Sequence, residues 1–435
     1  MAGHAGLGPK PAAARPGQFR QIFGGAAGNL VEWYDWYAYS AFALYFGPRF
    51  FPPGDDLAAL LNSAAIFAVG FLMRPIGSWF LGVWADRRGR KSALTLSVAM
   101  MCFGSLMIAV APTYDQVGLL APAILLLARL VQGLSVGGEY GASATFMSEV
   151  AQAKWRGFLA SFQYVTLVGG QLLALALLVL LQSALTDAEL ADWAWRIPFV
   201  VGAACAVMVF WLRSGLVETE AFEQAKRAGS QGELLRRLLA HPRQLLIVLA
   251  LTAGGSLWFY TFTTYMQKYL VLSAGWTKQE ATTTSAFALL AYMAMQPLFG
   301  ALSDIVGRRP LIISFGVMAT LATVPALDAL GAARPGPGAL ALLVLCLAIL
   351  SCYTAISGVV KAEMFPADVR ALGVGMPYAL GVAIFGGSAE YAALAFKNAG
   401  IERGFFWYVT IMAAVALIAG LLMPDTKRHS RIETD

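Results

Sequence analysis

The stretch GVWADRRGRK, residues 82–91, decides the organisation of this chain, because it returns as GALSDIVGRR at residues 300–309. Asp86 in the first stretch and Asp304 in the second are 218 positions apart, and each is followed three residues later by a Gly-Arg pair. Each stretch also follows a long apolar segment. The recurrence therefore indicates that a larger helical unit is duplicated.

A second pair of charged residues repeats at nearly the same interval. Glu149 precedes Arg156 by seven residues, and Glu363 precedes Arg370 by seven residues. Two independent patterns with almost one offset predict two six-helix units with the same topology, related by a pseudo-twofold axis along the membrane normal. Acids and arginines at helix ends bind helix termini and one another. We therefore expect these loops to gate the protein through Asp86, Arg90, Glu149, Arg156, Asp304, Arg308, Glu363 and Arg370.

The composition is that of a polytopic membrane protein. Of the 435 residues, 58% are hydrophobic and 13% are charged, whereas a soluble protein has about 25% charged residues. A spanning helix needs about 20 apolar residues. Twelve candidate spans follow in order: 22–47, 58–83, 92–112, 120–149, 157–183, 194–213, 244–270, 281–303, 310–329, 338–361, 371–394 and 404–423.

The distribution of Lys and Arg sets the predicted orientation. With both termini in the cytoplasm, most of the 31 basic residues lie on that side. The expected outer positives are Arg49, Arg196, Lys268, Lys278, Arg334, Lys397 and Arg403. The predicted domains are a cytoplasmic tail (1–21), a six-helix bundle (22–217), a cytoplasmic linker (218–243), a second six-helix bundle (244–423) and a cytoplasmic tail (424–435).

The composition and motifs also argue against several classes of protein. The basic balance follows from topology, so no nucleic-acid partner is expected. The four cysteines fall in apolar runs without metal-ligand spacing, and the three histidines lie outside the predicted spans. We therefore expect no metal, no cofactor and no enzymatic activity. We expect a monomer in membrane lipid.

Several segments carry a resemblance to a known family. The two repeated loops, and ARLVQGLSVGGEYGASATFMSEV from Ala128, resemble motifs of the major facilitator superfamily. GNLVEWYDWYAYS, GFLMRPIG, WRIPF and KAEMFPADVRALGVG are similar to its metabolite:proton symporter branch. FQYVTLVGGQLLAL, FYTFTTYMQKYLV and AIFGGSAEYAAL resemble members of that branch that carry α-ketoglutarate.

The resemblance implies an all-α transporter in a bacterial inner membrane. It implies uptake of a small carboxylate, α-ketoglutarate, together with protons by alternating access. Symport of another organic acid, or of a zwitterion such as proline or betaine, is the alternative. The branch members that respond to osmotic stress carry a C-terminal coiled coil, and the tail after Met423 has no heptads.

Charged residues inside the predicted spans mark the candidate site. An acid at the centre of a span costs about 2.5–3.5 kcal/mol on insertion, yet the first span carries Glu32 and Asp35. The fourth span carries Arg129, and in sugar/proton symporters that this helix resembles, the matching Arg pairs with an acid of the first helix. Proton coupling is therefore predicted for Glu32 or Asp35 with Arg129. A constitutive ion pair that only fixes helix packing is the alternative.

The remaining buried cations and polar groups predict a carboxylate-binding cavity. Arginine matches a carboxylate bidentately, and hydroxyl and amide groups suit a keto oxygen. The predicted substrate contacts are Arg74, Arg129, Gln163, Tyr164, Tyr260, Thr264, Lys268, Tyr353 and Tyr378. Snorkelling of Lys268 and helix-end anchoring by Arg74 are the alternatives. Arg196 is expected to act as a gate or an anchor. Trp33, Trp36, Trp258 and Trp407 are typical of interface belts, and a binding cage is the alternative.

Overall fold

The computed structural model of the chain describes residues 18–88, 90–136, 144–145, 148, 153–214, 236–427 and 430–434. Within these ranges all regular structure is helical. The main helices are α1 (Gln18–Phe50), α2 (Asp56–Arg88), α3 (Arg90–Val110), α4 (Leu120–Ser135), α5 (Arg156–Ala184), α6 (Ile197–Ser214), α7 (Pro242–Leu272), α8 (Lys278–Val306), α9 (Arg308–Ala332), α10 (Pro337–Glu363), α11 (Arg370–Asn398) and α12 (Glu402–Leu422).

These helices follow the predicted spans in order. In the part of the chain that the structure describes, nine helices are long and apolar enough to cross a membrane, and α3 and α4 contain shorter apolar segments. Helix α1 is 33 residues long but is made less apolar by its acids and tyrosines. The fourth span was predicted to continue to residue 149. The described helix ends at Ser135, and residues 137–143 lie outside the description.

The packing of the helices repeats between the two halves. In the first half α1 packs on α5, α2 on α4 and α3 on α6, and in the second half α7 packs on α11, α8 on α10 and α9 on α12. Adding six to the helix numbers of each pair in the first half gives the corresponding pair in the second half. A duplicated unit with unchanged topology requires this pattern. The predicted all-α fold of two six-helix bundles is confirmed.

The two halves meet through equivalent surfaces. Helix α5 packs on α8, and α2 packs on α11. These contacts are related by the repeat, because α8 is the copy of α2 and α11 is the copy of α5. Helices α1 and α7 lie between the halves, and residues 31–46 and 251–270 are buried on all sides. The outer helices instead expose large apolar side chains, as expected for surfaces that face lipid.

Three central helices of the second half depart from regular α-helix. Helix α7 contains a wide π turn at Thr261–Tyr265, and α11 contains another at Val382–Gly386. Helix α10 is interrupted between Thr354 and Ser357. Such π turns occur often at functional sites, because they redirect side chains and loosen the hydrogen-bond ladder. The irregular turns therefore point to the space between the halves as the site.

Candidate functional site

Among the described residues, cavities lie between the halves beside the irregular turns, and two of them are lined mainly by residues of α1, α5, α7, α10 and α11. The first is lined by Tyr37, Ser40, Ala41, Gln171, Leu175, Thr263, Thr264 and Gln267. The second is lined by Tyr164, Leu167, Ser256, Phe259, Tyr260, Tyr353, Tyr378 and Val382. Each has a volume of about 10 Å³, which is room for about one water molecule. Neither cavity holds a five-carbon dicarboxylate at this size, so binding there requires the cavity to widen.

Asp35 of α1 is held by polar groups from two other helices. Ser105 of α3 donates a hydrogen bond to one carboxylate oxygen, and Gln132 Nε2 of α4 donates to the other at 2.7 Å. Arg129 Nη1 donates to Gln132 Oε1 at 2.8 Å. The direct ion pair favoured by the sequence is therefore replaced by an indirect link. Gln132 separates the two charges because its amide offers an acceptor to one and a donor to the other. Glu32 is also buried, at 8% exposure.

The guanidinium groups of Arg129 and Arg74 both lie over the aromatic ring of Trp36. Arg129 lies 3.9 Å from the ring centre of Trp36, and Arg74 lies 4.3 Å from the same ring and 4.8 Å from that of Trp33. The two tryptophans are 1% and 4% exposed, so the interpretation of them as a membrane-interface belt is wrong. Their rings instead hold the two cations by cation–π attraction inside the protein.

Both guanidinium groups keep unused hydrogen-bond donors. The Nε and Nη2 atoms of Arg74 and of Arg129 are buried and have no hydrogen-bond partner in the described residues. Buried donors are normally satisfied, so the unpaired N–H groups of Arg74 and Arg129 are suited to an acceptor that enters the site. A carboxylate is the partner that a guanidinium group matches best.

Lys268 is not a snorkelling residue at the outer end of α7. It is fully buried, and its Nζ lies 3.0 Å from Glu390 Oε1 of α11. The same Nζ donates to the backbone carbonyl of Ser40 at 2.7 Å and to its hydroxyl at 2.8 Å. The Ser40 hydroxyl donates in turn to Glu390 Oε2 at 2.7 Å. The Lys268–Ser40–Glu390 cluster thus joins α1, α7 and α11.

The predicted polar substrate contacts fall around both cavities. Tyr164, Tyr260, Tyr353 and Tyr378 line the second cavity, and Thr264 lines the first. Gln163 is buried, and its amide oxygen faces Gly358 of α10. Five of the predicted polar contacts thus line the two cavities, and Gln163 lies beside α10.

Two further charged residues belong to this region, and neither is among the residues predicted from the sequence. Lys361 of α10 is 1% exposed, donates to Ser357 at 2.8 Å and lies 4.5 Å from the ring of Tyr378. Glu390 belongs to the cluster with Lys268. Both were detectable, because an ionisable residue inside or at the edge of a span is a functional candidate. Lys361 lies at the boundary of the predicted tenth span, and Glu390 lies inside the predicted eleventh span.

A second polar network joins the two halves at the starts of helices α5 and α9. Asp304 at the end of α8 accepts hydrogen bonds from the backbone N–H groups of Gly157, at 2.8 Å, and Phe158, at 2.9 Å. Arg308 Nη1 lies 2.9 Å from the same carboxylate. An acid at a helix N-terminus is stabilised by the free N–H groups and the helix dipole. Asp304 therefore ties the first half to the second.

Glu363 at the end of α10 strengthens this contact. It lies 3.6 Å from Arg156 of the first half and 3.8 Å from Arg308 of its own half. Arg370, seven residues after it, donates instead to the carbonyl of Phe365. Five predicted gating residues thus lie on one face, and three of their contacts cross between the halves. Asp304 and Arg308 are the repeat equivalents of Asp86 and Arg90. They bind a helix terminus and each other, which is the arrangement predicted for both loops.

The other predicted gating residues differ in their placement. Arg196 donates to the carbonyls of Ala109, at 2.9 Å, and Ala111, at 2.7 Å, so it anchors the end of α3. The side chains of Asp86 and Arg90, and the whole of Glu149, lie outside the described residues. Within the described part of the chain no group of three His, Cys, Asp or Glu residues is placed to hold a metal ion.

The fold and the buried charge networks define a membrane transporter, and comparison identifies its class. The chain matches the family described as Sugar (and other) transporter over residues 22–233 and 217–435. It also superimposes with a TM-score of 0.73 on a solved structure of XylE, a major facilitator superfamily proton:xylose symporter, at 19% identity and with 96% and 98% of the two chains covered. The chain belongs to this transporter family, as its motifs predicted, and it is not an enzyme.

Among curated relatives the similarity extends over nearly the whole chain. The chain is 56% identical to the alpha-ketoglutarate permease of Escherichia coli strain K12, over 94% of this chain and 95% of that protein. It is 31% identical to the citrate-proton symporter of Salmonella typhi, over 95% of each chain. The resemblance to the metabolite:proton symporter branch is thereby confirmed.

Proposed function

We propose that this protein carries α-ketoglutarate into a bacterial cell together with protons, by alternating access across the inner membrane. The observation that carries the proposal is the 56% identity, over 94% of the chain, to an alpha-ketoglutarate permease. The buried cations support it, because a dianion needs positive partners inside the membrane. The excess of Lys and Arg in the predicted inner loops supports an orientation with both termini in the cytoplasm.

The substrate is proposed to bind between the halves once the two cavities open and merge. One carboxylate would take the free guanidinium donors of Arg74 or Arg129, which no described residue satisfies. The tyrosine hydroxyls of the second cavity, with Gln163 and Thr264, would hold the keto oxygen and the second carboxylate with Lys268. Separation of the halves would expose these groups to water on one side at a time.

Proton coupling is proposed to run through Asp35, with Glu32 as the other candidate. Burial favours the neutral form of an acid, whereas a nearby guanidinium group favours the charged form. Arg129 reaches Asp35 through Gln132. A substrate that engages Arg129 would weaken this link and leave Asp35 buried without its counter-charge. Asp35 would then take up a proton, and the loaded transporter would close without an unpaired charge.

The charges around Asp304 and Glu363 are proposed to hold the cytoplasmic side closed. The contacts cross between α5 and the second half, so they must break when that side opens. Asp86, Arg90 and Glu149 are proposed to act in the same way between α2 and α11. Arg196 is proposed to act as an anchor for α3 rather than as a moving gate.

The test is uptake of labelled α-ketoglutarate into proteoliposomes, with and without an inward proton gradient. We expect accumulation that requires the gradient and is abolished by excess unlabelled α-ketoglutarate. Asp35→Asn is expected to lower the steady-state accumulation about tenfold for each unit of pH gradient, because one pH unit is worth a factor of ten per coupled proton. Glu32→Gln, one turn away, is the matched comparison that identifies the coupling acid.

Two outcomes would contradict the proposal in different ways. Folded protein that carries citrate or proline but no α-ketoglutarate would overturn the substrate and keep the coupling mechanism. Uptake of α-ketoglutarate that ignores the proton gradient would overturn the coupling and keep the substrate.

A further inference from the structure

The Lys268–Ser40–Glu390 cluster is built as a switch between the two halves. Lys268 and Glu390 belong to the second half and are 0% and 3% exposed, and Ser40 belongs to the first half and is 3% exposed. Ser40 is both an acceptor for Lys268 and a donor to Glu390. When α1 moves away from α7 and α11, the two bonds from Lys268 to Ser40 and the bond from Ser40 to Glu390 break, and the ion pair of Lys268 and Glu390 remains.

The cluster lies next to a space that substrate can enter. Ser40 lines the first cavity together with Thr264, Gln171 and Gln267. The amide oxygen of Gln171 is buried without a hydrogen-bond partner in the described residues. Separation of the halves removes Ser40 from Lys268 and enlarges this polar cavity. A carboxylate that enters it therefore meets the ammonium group of Lys268.

A substrate carboxylate on Lys268 leaves Glu390 without its cation. Removing one partner of a buried ion pair is strongly destabilising, because the other charge stays buried and uncompensated. Among the described residues, few groups are available to replace Lys268. Tyr39 of α1 and Tyr265 of α7 are close enough to Glu390 to interact with it electrostatically, but a tyrosine cannot supply a positive charge. On the other packed helices, Arg74 of α2 is held by aromatic rings and Glu402 of α12 by Lys397.

We infer that Glu390 is a second proton-carrying group, protonated when a substrate carboxylate takes its place on Lys268. An O–H bond forms on Glu390 with a proton from water on the outer side, and the Lys268–Glu390 ion pair is exchanged for a Lys268–substrate ion pair. On the inner side the proton leaves, Glu390 recovers Lys268, and the substrate carboxylate is expelled. The inference rests on the proposed function, because it needs a carboxylate substrate and proton coupling.

A second proton would make the net charge carried inward with the substrate zero. α-Ketoglutarate carries two negative charges near neutral pH. With one proton on Asp35, the substrate enters with a net charge of minus one, against an inside-negative membrane potential. With a second proton on Glu390, the membrane potential no longer opposes uptake. Two separate acids, each linked to its own cation, supply one proton for each substrate carboxylate.

The test counts protons per substrate in proteoliposomes with the membrane potential held at zero. We expect alkalinisation of the outer medium by two protons per α-ketoglutarate, and steady-state accumulation of about a hundredfold per unit of pH gradient. Glu390→Gln is expected to lower these values to one proton and about tenfold, while exchange of labelled for unlabelled α-ketoglutarate continues. A count of one in the wild-type protein, or of two in Glu390→Gln, overturns the inference.

The chain offers a matched control. Lys397, Glu402 and Ser273 form a cluster of the same three residue types, but it is half-buried and lies in one half only. Glu402→Gln is expected to leave the proton count at two. Should Glu390→Gln fail to fold, Glu390→Asp keeps a titratable group and is expected to keep a count of two, and a count of one in that variant overturns the inference. Absence of any α-ketoglutarate uptake by the wild-type protein would instead refute the proposed function.

Discussion

Replacing Asp304 by Asn should open the side that this residue closes. Its carboxylate accepts two N–H groups from the start of α5 and lies 2.9 Å from Arg308. A hydrogen bond to a charged group contributes about 1.5–3 kcal/mol. Asparagine keeps one acceptor oxygen, so one charge-assisted bond is lost and the other becomes neutral. We expect the closed state to lose about 2–3 kcal/mol, which shifts the open-to-closed ratio about 30- to 140-fold.

The assay follows the exposure of Ser161, which is buried and packs with its Cβ against Gly300 of α8. Ser161→Cys, in a chain without the native cysteines, is labelled with a water-soluble maleimide in detergent, and the rate reports the open fraction. Asp304→Asn should raise this rate about 30- to 140-fold. The control is Asp328→Asn, which removes an acid that pairs with Arg403 on the exposed surface. Equal labelling rates for Asp304→Asn and Asp328→Asn would refute the reasoning.

Four further changes test other parts of the structure. Gly300→Ala places a Cβ 2.6 Å from the carbonyl oxygen of Gly157, so the same labelling rate should rise because the helices cannot close. Arg129→Lys loses the planar fork that binds Gln132 and stacks on rings, and initial uptake should fall about tenfold or more. Arg196→Gln loses two hydrogen bonds to α3, and its melting temperature should fall by a few degrees. Lys361→Met should raise KM for uptake with unchanged melting temperature, and an unchanged KM would exclude it from the site.

The helices and the duplication were predictable because they depend on local and periodic features. Apolar length fixes where the chain can cross lipid, since every backbone polar group must be satisfied inside the helix. The repeated Asp-x-x-Gly-Arg loops, around Asp86 and Asp304, give the length of the repeated unit. The π turns of α7 and α11 were not predictable, because no proline lies within Thr261–Tyr265 or Val382–Gly386 to force them.

The site was predictable in its members but not in its pairings. Asp35 and Arg129 were found as charges inside spans, yet the structure inserts Gln132 between them. The repeated spacing of Glu363 and Arg370 predicted a gating role for both, but only the structure shows that Glu363 contacts Arg156 of the other half. Periodicity shows which residues share a helix face, but it does not show which face of another helix they meet.

The sequence by itself determined the membrane class, the twelve spans, the duplicated unit and the family, because apolar length and repeated motifs are properties of the chain alone. Only the tertiary structure decided that Lys268 is paired with Glu390 through Ser40, and that Asp304 binds the start of α5. These contacts join residues more than a hundred positions apart. Their partners depend on how the two bundles pack, and a buried charge acquires its role from the partner that packing supplies.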